Sequence, residues 1–225
     1  MNESRKTKKI ETRTLAMLAI LAAVAYVVMF LSKQIPVNVL GFLNFDLKDT
    51  IVVITGFMFG PLAAAAISVI VSVIEMVTIS STGLWGLLMN VLSTCAFACT
   101  AAWYYQRHRT MKGAILGLVI GALLMTAVML LWNYLITPIY MGYPREAVAK
   151  LLIPTFLPFN LIKAGINGAL SMLLYKPIVT ALRKAKLVEP SKSGNAGKQK
   201  LGVAIVSFVV LVTFILLALV LAKVI

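Results

Sequence analysis

The sequence predicts an all-α integral membrane protein built as one helical bundle, and three observations carry that prediction. The 225 residues are 61% hydrophobic and only 12% charged, with a mean hydropathy of +0.98. That is far too little charge to cover the surface of a soluble domain. Several apolar stretches reach roughly 20 residues, the helix length that crosses a hydrocarbon core of about 30 Å. The formal net charge of +14 sits in the connections between those stretches. This is the positive-inside pattern, which sets orientation in membrane lipid and does not signal a nucleic-acid partner.

Residues 1–13 are basic and polar. The first span covers about 14–32; it is longer than a signal-peptide core, and no clean small-residue cleavage site follows, so it reads as retained. A loop from Lys33 to Phe45 follows, containing Pro36 and Gly41. The short segment 48–59 is opened by Asp46 and Asp49, read as helix caps. Phe59-Gly60-Pro61 marks a tight turn. Further spans are expected at 61–79, 84–105 and 113–136. A second irregular region, Thr137 to Leu157, carries Pro138, Pro144 and Pro154, and a span at 158–182 follows it. The polar stretch EPSKSGNAGKQK (189–200) has the composition of a flexible linker, and a last apolar run covers 201–222. The expected organisation is a six-helix membrane domain over 14–185, a linker over 186–200 and an additional C-terminal transmembrane helix within 201–225.

Segment 48–59 is the hard case, because twelve residues give only about 18 Å of helix. Charge parity favours a crossing. With it, the N-terminus, QRHRTMK (106–112) and 176–200 fall on one side and hold most of the Lys and Arg. The other side then carries Lys33, Lys48, Arg145 and Lys150, nearly balanced by Asp46, Asp49 and Glu146. The expected orientation puts the N-terminus in the cytoplasm, both irregular loops outside and, after seven crossings, the C-terminus outside.

Polar residues at membrane depth are costly unless they face protein, water or ligand. Here they are Glu75, Asn90, Asn133, Asn160, Lys163 and Asn167, all toward the expected outer side. At 100° per residue, Asn160, Lys163 and Asn167 fall within about 60° on one helical face. Their convergence predicts a polar pocket that opens outward beneath the two irregular loops. Each has a structural alternative. Asn90 can be an interhelical hydrogen-bond residue, Asn133 can be wetted at the interface, and Glu75 can pair with Lys163. The Trp and Tyr residues near span ends read as interfacial belt.

Catalytic chemistry is sparse. His108 is the one histidine and lies in a basic loop. There is no HExxH, no Cys/His cluster and no GxxxxGK[ST] phosphate loop, so an ATP-driven process needs a partner ATPase. Cys95 and Cys99 read as small buried residues rather than a disulfide or metal pair; no metal or cofactor is expected. Ala19 and Ala23, with Ala16 and Ala22 nearby, form a small-residue stripe that allows close helix approach, inside the bundle or against a partner.

Four stretches resemble the substrate-binding S components of energy-coupling factor (ECF) vitamin transporters, most closely the riboflavin-specific ones. They are LAILAAVAYVVMF (18–30), FLNFDLKDTIVVITGFMFGP (42–61), LWNYLITPIY (131–140) and IPTFLPFNLIKAG (153–165), with Pro-Phe-Asn-x-x-Lys the most specific element. The resemblance implies a six-helix bundle that binds riboflavin near its outer face, in a bacterial plasma membrane. It also implies a complex with a transmembrane coupling subunit and two cytoplasmic ATPases. It assigns flavin contacts to Asn133, Asn160 and Lys163, and a covering role to the loop Phe42, Leu43, Asn44 and Phe45. It turns Ala19 and Ala23 toward the coupling subunit. Glu75 and Asn90 join the site by depth rather than by motif. Chemically, asparagine amides donate and accept together and Lys163 donates, which suits the imide edge of a flavin on an apolar ring. An S component for another vitamin, and a small polytopic membrane enzyme or assembly factor, stand as alternatives; the missing catalytic constellation weighs against the latter. The seventh span departs from the family pattern.

Overall fold

The computed structural model describes residues 12–41, 43–185 and 201–224. The basic segment up to residue 11, Phe42 and the linker at 186–200 lie outside the described residues. α1 (Thr12–Lys33) leads into a hairpin of β1 (Asn38–Val39) and β2 (Leu43–Asn44), with Asn38 opposite Asn44 and Val39 opposite Leu43. α2 (Lys48–Phe59), α3 (Pro61–Thr78) and α4 (Gly83–Thr94) follow. α4 runs through a π-helical turn, Cys95–Cys99, into α5 (Thr100–Arg107). Next come α6 (Met111–Met141), α7 (Arg145–Leu151), a second π-helical turn (Leu152–Phe156), α8 (Leu157–Lys184) and α9 (Leu201–Leu221).

Among the described residues, six helical stretches are long and apolar enough to cross a membrane: Thr12–Lys33, Pro61–Thr78, Gly83–Arg107, Met111–Met141, Arg145–Leu182 and Leu201–Leu221. Their outward faces are apolar, with Leu62, Val77, Leu123 and Phe208 all exposed, as lipid-facing surface requires. α2 is different in kind. Every residue from Lys48 to Phe57 is buried, which makes α2 the axis of the core. Its Ile51, Val52, Val53 and Phe57 meet Leu21, Ala25 and Met29 of α1, Ala64, Ile67 and Val71 of α3, Ala98, Ala101 and Ala102 of the α4–α5 helix, and Ala164 of α8. The Phe-Gly-Pro turn forms as expected. Gly60 has φ +99 between α2 and α3, and a Cβ there would stand 2.6 Å from Gln106 Nε2.

Two expectations are corrected. The region 137–157 is mostly helical. α6 continues to Met141 with Pro138 inside it, and Thr137 lies within the helix. Pro144 precedes α7, and Pro154 sits within the π-helical turn. The wider π turn accommodates the absent N–H and the ring of Pro154, which a regular α-helix would hold only at a cost. Asp46 and Asp49 are not caps of α2 either. Leu47 occupies the N-cap with no side-chain bond. The Thr50 amide is instead capped across the bundle by Asn167 Oδ1 of α8 at 3.0 Å.

α9 packs along α8. Phe214 lies over Gly165, where a Cβ would come within 2.4 Å of its ring, and Ala218, Leu211 and Leu221 meet Ile162, Ile166 and Leu170. Ala16, Ala19 and Ala23 of α1 are exposed while Ala22 is buried, so the Ala19–Ala23 stripe does not pack within this bundle. Cys95 and Cys99 are free and half-buried rather than buried, and Cys99 Sγ donates to the Pro61 carbonyl at 3.4 Å.

Candidate functional site

The hairpin end of the bundle holds a cavity of about 240 Å³. Its walls come from α1 (Lys33), the hairpin connection (Leu43, Asn44, Asp46), α3 (Glu75), α4 (Asn90, Ser93), α6 (Met129, Asn133) and α8 (Phe159, Asn160, Lys163), with Ser80, Ser81 and Thr82 at one edge. Residues distant in sequence meet here because α2 is short. The chain returns to the same end after each pair of helices, and α2 fills the space below the cavity.

The charges form one buried chain. Lys163 Nζ donates to Asp46 Oδ2 at 2.7 Å, and Lys48 Nζ donates to Asp46 Oδ1 at 3.4 Å and to Asn90 Oδ1 at 3.2 Å. Lys48 Nζ also lies 3.9 Å from Glu75 Oε2. Asn90 Nδ2 donates to that Glu75 oxygen at 2.9 Å, and Lys33 pairs with the other. Lys48 is fully buried, and Asp46, Glu75 and Lys163 are nearly so. Such burial is tolerable only because every charge has an opposite partner and hydrogen bonds. Asp46 lies in the connection between α1 and α2. Its burial alone would raise its pKa, but Lys163 and Lys48 together hold the carboxyl below its ordinary range.

The polar face of α8 does two jobs. Asn167 is a clamp. Its Nδ2 donates to the carbonyls of Asp46 and Lys163, both at 3.0 Å, and its Oδ1 accepts from Thr50 N at 3.0 Å and Thr50 Oγ1 at 2.9 Å. Asn160 and Lys163 reach the cavity instead. Asn160 Nδ2 donates to Phe156 O at 2.7 Å, which leaves its carbonyl oxygen and second N–H for the cavity. Asn133 is held similarly. Its Nδ2 donates to Met129 O at 2.7 Å and its Oδ1 accepts from Thr137 at 3.0 Å. These bonds within each helix pre-orient both amides.

The structure therefore brings Asn133, Asn160, Lys163, Leu43, Asn44, Asn90 and Glu75 to one cavity. It does not bring Phe45 there. The Phe45 ring packs on Phe159 at 4.7 Å between centroids and lines a separate apolar groove against α9. Phe42 lies outside the described residues. Glu75 and Lys163 do not pair with each other; each has a different partner. Sequence reasoning missed Lys33, Asp46 and Ser93. The signal was present in the near cancellation of Lys33 and Lys48 by Asp46 and Asp49, which read as loop charge. Among the described residues, no cluster of three His, Cys, Asp or Glu side chains is placed to hold a metal ion.

Comparison with known proteins fits this arrangement. The family model described as ECF transporter, substrate-specific component, matches residues 13–175, ending ahead of α9. The riboflavin transporter RibU of Staphylococcus aureus is 27% identical over 190 residues, covering 82% of this chain and 100% of that protein. The riboflavin transporter FmnP of Bacillus subtilis is 26% identical over 189 residues, covering 79% of this chain and 99% of its own. The solved structure of the S component of a bacterial ECF transporter superposes with a TM-score of 0.64 at 27% identity, covering 75% of this chain and 96% of that one. With a bundle centred on a short buried helix, a polar cavity at one end and a family match over most of its length, this chain belongs to the substrate-specific components of ECF transporters.

Proposed function

We propose that this chain is the riboflavin-binding subunit of an ATP-driven vitamin uptake transporter, and that riboflavin binds in the hairpin-end cavity. The observation that carries the reading is the convergence of Asn133, Asn160 and Lys163 on one cavity that Leu43 and Asn44 also line. The names of the relatives support it, since they are riboflavin transporters. Two pre-oriented amides and an ammonium suit the carbonyl and N–H groups of a flavin imide. Leu43, Met89, Met129 and Phe159 supply apolar surface for its fused ring.

In this reading the cavity faces outward, the N-terminus is cytoplasmic and 14–185 is the binding unit, joined by the 186–200 linker to the seventh helix. The basic clusters support that orientation. Arg107, Arg109 and Lys112 lie at the N-terminal end of α6, and Met129 and Asn133, which line the cavity, lie further along the same helix, about 27–33 Å from its start. A coupling subunit and two ATPases supply the driving force. The exposed Ala19 and Ala23 give the coupling subunit a face where helices approach closely, and α9 leaves that face clear because it packs on α8.

Protein purified from cells should carry a yellow chromophore that denaturation releases as riboflavin. Folded protein that emerges colourless and takes up no added riboflavin would refute the assignment. Ala19→Trp should abolish uptake while leaving binding intact; unchanged uptake would remove that stripe from the partner interface.

A further inference from the structure

The cavity has a charge balance that bears on which form of its ligand it accepts. Two ammonium groups line it, Lys33 and Lys163, and two carboxylates, Asp46 and Glu75. Behind them Lys48 and Asp49 add one formal charge of each sign, both buried. The site as a whole is formally neutral although it is crowded with ions. The balance is also local. The Lys163 ammonium faces the cavity with Asp46 Oδ2 at 2.7 Å, and the other Asp46 oxygen serves Lys48. Among the described residues Asp46 is thus the one carboxylate that touches both Lys163 and Lys48, and Asn167 fixes its backbone carbonyl at 3.0 Å. A lysine left unpaired in such a pocket would recruit an anion. A lysine already neutralised donates a hydrogen bond to a carbonyl and offers no net attraction to negative charge.

We propose that Asp46 is a specificity-determining residue. Its carboxylate neutralises Lys163 and shares Lys48, while Glu75 neutralises Lys33, so the site takes an uncharged polar ligand and discriminates against an anionic, phosphorylated form of it. This rests on the riboflavin reading above and adds to it a selection by charge. A phosphate monoester brings about 1.5 to 2 negative charges into a site whose lysines already have partners. It gains no ammonium and meets two carboxylates.

The test is a paired titration of the full chain in detergent with riboflavin and with its 5′-phosphate, read as the ratio of the two dissociation constants. Wild type should favour riboflavin. Asp46→Asn keeps the shape and removes one negative charge, and should move the ratio toward the phosphate on the order of a hundredfold, the Coulomb effect of one charge on a phosphate of about 1.5 to 2 charges about 10 Å away in a medium of effective dielectric about 20. Asp46→Asn combined with Lys163→Met restores neutrality and should return the ratio toward wild type. A purely structural role for Asp46 weakens both ligands equally and leaves the ratio fixed, which would overturn the proposal. If Asp46→Asn does not yield folded protein, Glu75→Gln removes one negative charge from the α3 wall of the same cavity. It must shift the ratio in the same direction, and an unmoved ratio again overturns the proposal. Failure of wild type to bind riboflavin at all would sink the ligand assignment, and this inference with it. Riboflavin binding with an unmoved ratio sinks the charge selection alone.

Discussion

α8 presents two faces that do opposite things. One carries Asn160 and Lys163 at the cavity and Asn167 beside them as a clamp, all buried among ions and amides. The other, roughly half a turn round, carries Ile162, Gly165 and Ile166, against which α9 lies. The polar face is held by directional bonds with named partners, so losing one group leaves another buried and unsatisfied. The apolar face is held by contact area and by the space a glycine leaves, so its losses are graded and local. Binding and anchoring therefore occupy one helix and remain separable.

Lys163→Ala should break that comparison hardest. It strands the Asp46 carboxylate on Lys48 alone, and removing one partner of a buried pair costs about 3–5 kcal/mol. Thermal unfolding in detergent should fall sharply and riboflavin affinity should fall with it. Unchanged stability would show that the pair is solvated in the protein. Asn167→Ala comes next. It leaves the Thr50 amide and the Asp46 carbonyl without their partner, a loss of about 1–3 kcal/mol. The melting temperature should drop more than the affinity, because Asn167 does not line the cavity. An affinity loss with no stability loss would move Asn167 into direct ligand contact. Gly165→Leu acts on the other face and meets the Phe214 ring, at a cost of about 1–3 kcal/mol for overpacking. It should abolish cross-linking of an introduced cysteine pair, Ile166→Cys with Ala218→Cys, whose parent side chains share one core cluster, while riboflavin affinity stays within about twofold, and adding Phe214→Ala should restore the link. A large affinity loss would mean that α9 holds the binding face in place. Asn160→Ala sharpens the comparison most gently, weakening riboflavin by about 1–3 kcal/mol with little change in unfolding; wild-type affinity would remove Asn160 from the site.

The two faces were not equally legible in the sequence. Asn160, Lys163 and Asn167 share a face by spacing alone, and Glu75, Asn90 and Asn133 stood out as polar residues in apolar runs, so much of the polar part of the cavity wall could be named in advance. Asp46, Lys33 and Lys48 could not. They lie at the ends of helices, where charge is ordinary, and only the fold shows that they meet Lys163 and Glu75 from far away in sequence. Prolines misled in the same way. Pro138 and Pro154 signal breaks locally, yet the helices pass through them because a π turn and surrounding packing accommodate the missing donor. Phe45 shows the limit of reading a loop as a unit. Leu43 and Asn44 reach the cavity, while Phe45 turns to Phe159. The apolar length of α9 was plain; its seat against Gly165 depends on a contact that periodicity does not encode.

The most direct measurement is the quenching of riboflavin fluorescence as purified full-length chain is added, for wild type and Asn160→Ala in parallel. Saturable quenching at one riboflavin per chain, weakened in Asn160→Ala, is the expected result. Correctly folded wild-type protein that leaves riboflavin fluorescence unchanged would contradict a flavin site at the polar face of α8.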